Sequence, residues 1–258
     1  MYLSLRKLIQ FKFLRFDVFL PYLYSTMTAQ KTITISPRQY ALVAGLSLIL
    51  MAVVAGFSYG YIFSTLIVQD NIAITIANIK ASEALFRAGI LGFVLVLILD
   101  VVVAWGLYYV LKPVNKSLSG LVAWLRLVYA AVFGIAFLCL MLALQVIDLS
   151  AIEQTVRQAL MMLFLRGFGA MWSLSLLVFG IHLLLLGMLV LKSGFIPKIV
   201  GSLVILAALC YLVNDTANLI FAQYGQYKPI VEKFISAPMA IGELVLALWL
   251  IAKGGKSR

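Results

Sequence analysis

Residues 170–191 read AMWSLSLLVFGIHLLLLGMLVL, an apolar run whose one ionisable side chain is His182, the only histidine of the chain. A helix on the surface of a soluble domain is apolar along one stripe, whereas this run is apolar all round. About 20 such residues at 1.5 Å each cross a hydrocarbon layer of about 30 Å. Once one segment requires a bilayer, the rest of the chain has to accommodate it. Similar runs occupy residues 39–63, 84–111, 118–146 and 199–221, with a shorter one at 238–252. The chain is 64% hydrophobic and 11% charged; soluble domains are about 45–50% apolar and about a quarter charged. The expected fold is all-α, a polytopic transmembrane bundle of about six spans, with short amphipathic helices on the extracytoplasmic side. Its parts would be a basic N-terminal segment (1–38), a six-span membrane domain (39–254) and a basic tail (255–258).

The net charge of +11 could suggest nucleic acid, but the basic residues are scattered through short loops between apolar runs and make no basic face. No nucleic acid is therefore expected as a partner; the lipid bilayer is, and protein partners are not legible. Thirteen of the twenty Lys and Arg fall in the N-terminal segment, the 112–117 and 192–198 turns and the last six residues, from Lys253. That asymmetry predicts both termini in the cytoplasm. The prediction holds without residues 1–26, which contain Arg6, Lys7, Lys12 and Arg15. This stretch lacks the uninterrupted apolar core and small-residue cleavage site of a signal peptide. It reads either as a basic interfacial helix or as an over-extended start, with translation beginning at Met27. Cys139 and Cys210 lie inside apolar runs with no CxxC spacing, which predicts reduced thiols.

Helix punctuation is placed as follows. Ser36-Pro37 opens the first span, where Gly45, Gly56 and Gly60 would let another helix approach. Asp70 caps a short helix and Ser82-Glu83 opens the second span. The pattern from Ser150 to Glu153 is a capping box for a helix running through Arg157 and Arg166 into the fourth span. Gly194 and Pro197 make a tight turn. Pro229 and Pro238 break an amphipathic piece from the sixth span.

The spans are not purely apolar. Counted from the cytoplasmic turns, Asp100 lies about 18 Å deep, and Arg126, His182 and Glu243 about 15 Å each. These four would share one layer near the bilayer centre. Insertion scales charge about 2.5–3.5 kcal/mol for each Asp, Lys or Arg exposed to lipid there, so the four should face inward and pair. Asp100 with Arg126 is the first expected pair, since their spans form a hairpin, and His182 with Glu243 the second. A second polar layer, with Asn214 and Asp215 about 25 Å deep, is expected beside Arg87, Arg166 and Glu83. Each feature has a plainer reading: a static pair that fixes helix register, an interior histidine that is simply hydrogen-bonded, arginines that snorkel to the interface. Trp105, Trp172 and Trp249 read as packing or interfacial residues.

Catalytic motifs are missing from the sequence: it contains no HExxH, no GxSxG and no P-loop. No catalytic residue, metal site or cofactor is expected. A metal set of Asp100, His182 and Glu243 would have Arg126 opposing the cation. Three functions remain open: an interior that binds or moves a small solute or protons, a non-transporting accessory module whose buried charges only specify packing, and an intramembrane enzyme.

Several stretches, NIKASEALFRAG, LKPVNKSL, WLRLVYAAVFG, FGIHLLLLGMLVLKSGFIPKIVG, YLVNDTANL and IGELVLALWLIAKG, resemble the bacterial multi-pass membrane family catalogued as domain of unknown function 4386. The resemblance covers about residues 40–254, with the motifs in the same order. It implies a six-span bundle in a prokaryotic cell membrane, and ionisable residues that belong to the motifs themselves. The family carries no established activity, so the resemblance transfers no residue role.

Overall fold

The computed structural model describes residues 35–68, 71–149, 151–221 and 223–255. The N-terminal segment up to residue 34 with its alternative start at Met27, the caps expected at Asp70 and Ser150, and tail residues 256–258 lie outside the described residues. Seven α-helices are labelled here in chain order: α1 (Pro37–Ala55), α2 (Ile72–Ala81), α3 (Glu83–Leu111), α4 (Lys116–Asp148), α5 (Gln154–Lys192), α6 (Lys198–Ile220) and α7 (Tyr224–Lys253). A π-helical stretch, Gly56–Phe63, and a last turn, Ser64–Leu66, carry α1 onward. No strand occurs among the described residues. Six helices are long and apolar enough to cross a membrane: the continuous Pro37–Leu66 segment, α3, α4, α5, α6 and α7.

Local chemistry explains the ends. Ser36 and Gln39 form a reciprocal capping box around Pro37, satisfying two amide donors that an uncapped first turn would leave open. Asn71 caps α2 through its side chain. Gly194 takes a φ of +71°, a conformation that costs glycine nothing, and turns the chain from α5 toward α6. Three ends differ from expectation. Ser82 makes no side-chain cap. The start of α5 has Glu153 as its capping position, again without a side-chain bond; Arg157 instead ties down the preceding loop by donating to the carbonyls of Leu149 (2.7 Å) and Ile152 (3.3 Å). Finally, α7 runs through both Pro229 and Pro238 without a break. Each proline removes one helical donor, a loss that packing along a helix of this length outweighs.

The six spans pack as a closed ring in chain order, α1 on α3, α3 on α4, α4 on α5, α5 on α6, α6 on α7, and α7 back on α1. The closing contact is specific. Arg38, in the first turn of α1, donates to the carbonyls of Leu250, Ile251 and Gly254 at the end of α7, where unpaired carbonyls and the helix dipole favour a cation. Gly45 stands against α7 so closely that a Cβ there would lie 2.9 Å from the Ala247 carbonyl. Gly56 and Gly60, expected in the same role, face open space and lie in the π-helical stretch instead.

Large apolar side chains face outward on every span, among them Val53, Leu91, Trp124, Leu163, Val213 and Leu248, while the fully buried positions include Asp100, Arg126 and His182. A soluble protein has the opposite arrangement. An apolar exterior around a polar interior is the pattern that a hydrocarbon solvent selects.

A candidate binding site inside the helix ring

Arg126, on α4, is the largest of the fully buried side chains. Its guanidinium carries five donors in a rigid plane, and four other spans supply its contacts. The Nε donates to Asp100 Oδ1 of α3 at 2.8 Å. The Nη1 donates to Glu243 Oε1 of α7 at 2.8 Å and lies 3.4 Å from His182 Nε2 of α5. The Nη2 approaches the Met51 sulfur of α1 at 3.9 Å. The guanidinium also stands 5.4 Å from the centre of the Phe179 ring. All four mid-span ionisable residues singled out from the sequence therefore meet at one point. The expected Asp100–Arg126 pair is present; the expected His182–Glu243 pair is replaced by one between Glu243 and Arg126.

The histidine's protonation follows from its neighbours. His182 Nδ1 lies 2.8 Å from the Val122 carbonyl oxygen, which can only accept, so Nδ1 carries the proton. The Nε2 lone pair is then left for the Arg126 N–H, and a neutral imidazole satisfies both contacts. Asp100, His182 and Glu243, weighed above as a metal set, all converge on Arg126, so the guanidinium stands where a cation would be held.

The two carboxylates differ. Asp100 is sealed, and its Oδ2 is buried without a partner. The Glu243 side chain retains 21% exposure, and its second oxygen has no hydrogen bond among the described residues. The exposure is to a cavity of about 280 Å³ with Glu243 on its wall and residues from all six spans around it. Lining positions fall one or two turns from the ionisable residue on the same helix face: Val96 and Phe93 before Asp100, Tyr129 and Phe133 after Arg126, Phe179 before His182, Ala240 and Met239 before Glu243. Spacings of three, four and seven residues put side chains on one stripe. The charged cluster and the cavity wall are therefore successive levels of one inward face. In every case the cavity level is the one farther from the short 112–115 and 193–197 turns.

The aromatic wall is continuous. Phe133 and Trp172 are 4.6 Å apart, Phe93 and Trp172 5.3 Å, Tyr129 and Phe179 4.6 Å, and Phe179 and Tyr211 5.3 Å between ring centres. Trp172, expected to be a packing or interfacial residue, is part of this wall. None of these rings is among the expected site residues, although Phe93, Tyr129, Phe133 and Phe179 stand one or two turns from Asp100, Arg126 or His182.

The outer layer does not assemble as expected. Arg87 pairs with Glu83 one turn away on α3, at 2.6 Å and largely exposed, and Arg166 is exposed. Asn214 and Asp215 are buried on α6: Tyr224 donates to Asn214 at 2.8 Å, and Asp215 Oδ2 has no hydrogen-bond partner among the described residues. The arginines and Asp215 thus belong to separate groups.

Comparison with known proteins gives relatives but no activity. Residues 43–254 match the family model described as Domain of unknown function (DUF4386). The chain is similar to an uncharacterized protein of Archaeoglobus fulgidus, 37% identical over 167 residues, which cover 65% of this chain and 84% of that one. That relative is archaeal, so the bacterial restriction expected from the motifs is not supported. No solved structure matches the chain.

Proposed function

This chain belongs to the DUF4386 family, whose function is unknown, and we propose that it is an integral protein of the cell membrane whose interior binds a small solute or a proton at Glu243. The observation that carries this reading is the unequal sharing of Arg126. One guanidinium faces two carboxylates, and the neutral histidine adds no charge, so with both ionised the cluster holds one negative charge in excess. Unbalanced charge is costly in a low-dielectric interior. A proton or a cationic solute at Glu243 would balance it, and Glu243 is the member of the cluster that opens to the cavity. On the orientation that the basic loops support, that cavity lies on the extracytoplasmic side of the cluster, and a ligand moving through the ring would meet Glu243 before Arg126.

The complete burial of Asp100, Arg126 and His182 favours a second reading, in which the charges only specify helix packing. Glu243→Gln separates the two. It keeps a hydrogen-bond acceptor for Arg126 and leaves the cluster electrically balanced. Binding predicts a variant that purifies and melts like the parent in detergent while losing its solute- or pH-dependent stabilisation. The packing reading predicts a loss of folded protein with no such selective effect.

A further inference from the structure

We propose that the ligand of this cavity is a small hydrophobic organic cation, a protonated or quaternary ammonium, held against the Glu243 carboxylate by the aromatic wall and exchanging there with a proton. The inference rests on the reading of Glu243 given above and adds the chemical class.

Three features select that class. The first is charge. Arg126 is not part of the cavity wall, and its positive charge is already shared between Asp100 and Glu243. What the wall presents is the Glu243 carboxylate oxygen that accepts no hydrogen bond among the described residues. A monovalent cation completes neutrality, an anion would double the excess, and a neutral solute would leave it unchanged. The second is the rings. Phe93, Tyr129, Phe133, Trp172, Phe179 and Tyr211 surround the space, and faces of such rings attract a desolvated ammonium. The molecule already uses this interaction beside the cavity, with the Arg126 guanidinium over Phe179. The third is size: about 280 Å³ accepts a ligand of one ring and a short branched head, at the small end of ordinary ligand pockets.

Proton competition follows from the same geometry. The titratable and charged groups around Glu243 are Arg126 and Tyr129 of α4, Asp100 of α3, His182 of α5 and Tyr211 of α6, while α1 contributes the uncharged Met51. Glu243 alone among the ionised groups touches the cavity. A proton that settles on it removes the charge the ammonium needs.

The test uses the full chain in detergent and three probes of nearly one shape: benzyltrimethylammonium, its neutral carbon isostere neopentylbenzene, and benzenesulfonate. Thermal stabilisation and tryptophan emission report binding. The expected order is the cation first, by at least about tenfold over the neutral isostere, with no stabilisation by the sulfonate. Lowering the pH should weaken the cation and leave the neutral probe unchanged. Glu243→Gln should erase the preference while still admitting the neutral probe. Should that variant fail to fold, Trp172→Leu should lower affinity for the cation more than for its isostere. Equal affinity for cation and isostere in the parent chain, a preference for the sulfonate, or a cation preference that survives in Glu243→Gln would each overturn the proposal. Equal affinity would leave the broader reading of a solute cavity standing. Silence from all three probes overturns the proposal, and the broader reading falls with it only if Glu243→Gln also leaves the pH dependence of stability unaltered.

Discussion

Two polar regions sit at different depths of the same helix ring and are built on different principles. The Arg126 region draws side chains from four other spans onto a single guanidinium, with three ionisable members fully buried. The outer region is dispersed: an exposed i,i+4 pair on α3, an exposed arginine on α5, and a buried amide and carboxylate on α6. Near the centre of a membrane an ionisable group has no water, so it must be met by protein. Near the surface it can reach water along its own stem and needs no neighbour. Depth decides whether polar residues assemble.

If that lesson is right, Arg126→Gln should have the largest effect. It strands two carboxylates in the interior, and losing one member of a buried ion pair costs about 3–5 kcal/mol. The expected outcome is a steep fall in folded protein recovered in detergent, partly restored when Asp100→Asn and Glu243→Gln are added to remove the stranded charges. An Arg126→Gln variant as stable as the parent would break the comparison at its root.

Next in size is Gly45→Leu. A Cβ at this position would already press on α7 backbone, so the ring should loosen where its ends meet, at a cost of about 1–3 kcal/mol read as a lower melting temperature. In the outer region Asn214→Ala removes the acceptor of the Tyr224 hydroxyl and should cost about 1 kcal/mol. Smallest of all, Arg87→Ala and Arg166→Ala should shift stability by less than about 0.5 kcal/mol. A large effect from either arginine would mean that the outer region is also a network.

The sequence made the spans legible because hydrophobic length is a one-dimensional property; the ends of α3, α4 and α6 fall within two residues of their expected positions. Height was legible too, since rise per residue is fixed, and it placed Asp100, Arg126, His182 and Glu243 on one level. What height does not contain is direction around the helix axis and the order of spans in the ring. Asp215 and the two outer arginines were matched by height alone and turned out to belong to separate groups. The same gap hid the Glu243–Arg126 contact and the Arg38 clasp, both of which require α7 to close the ring near α1 or α4. Trp172 shows the remaining limit: a tryptophan in a span reads equally well as packing, interface or ligand wall until its neighbours are known.

On the reading proposed above, Arg126 holds two unequal carboxylates, one sealed and one open to a cavity. Treating the native protein with a hydrophobic carbodiimide, which reacts with protonated carboxyl groups in apolar surroundings, and locating the adduct by peptide mass measurement tests it directly. The expected result is modification at Glu243, none at Asp100, and protection of Glu243 by benzyltrimethylammonium. Equal modification of both carboxyls, or of Asp100 alone, would contradict it.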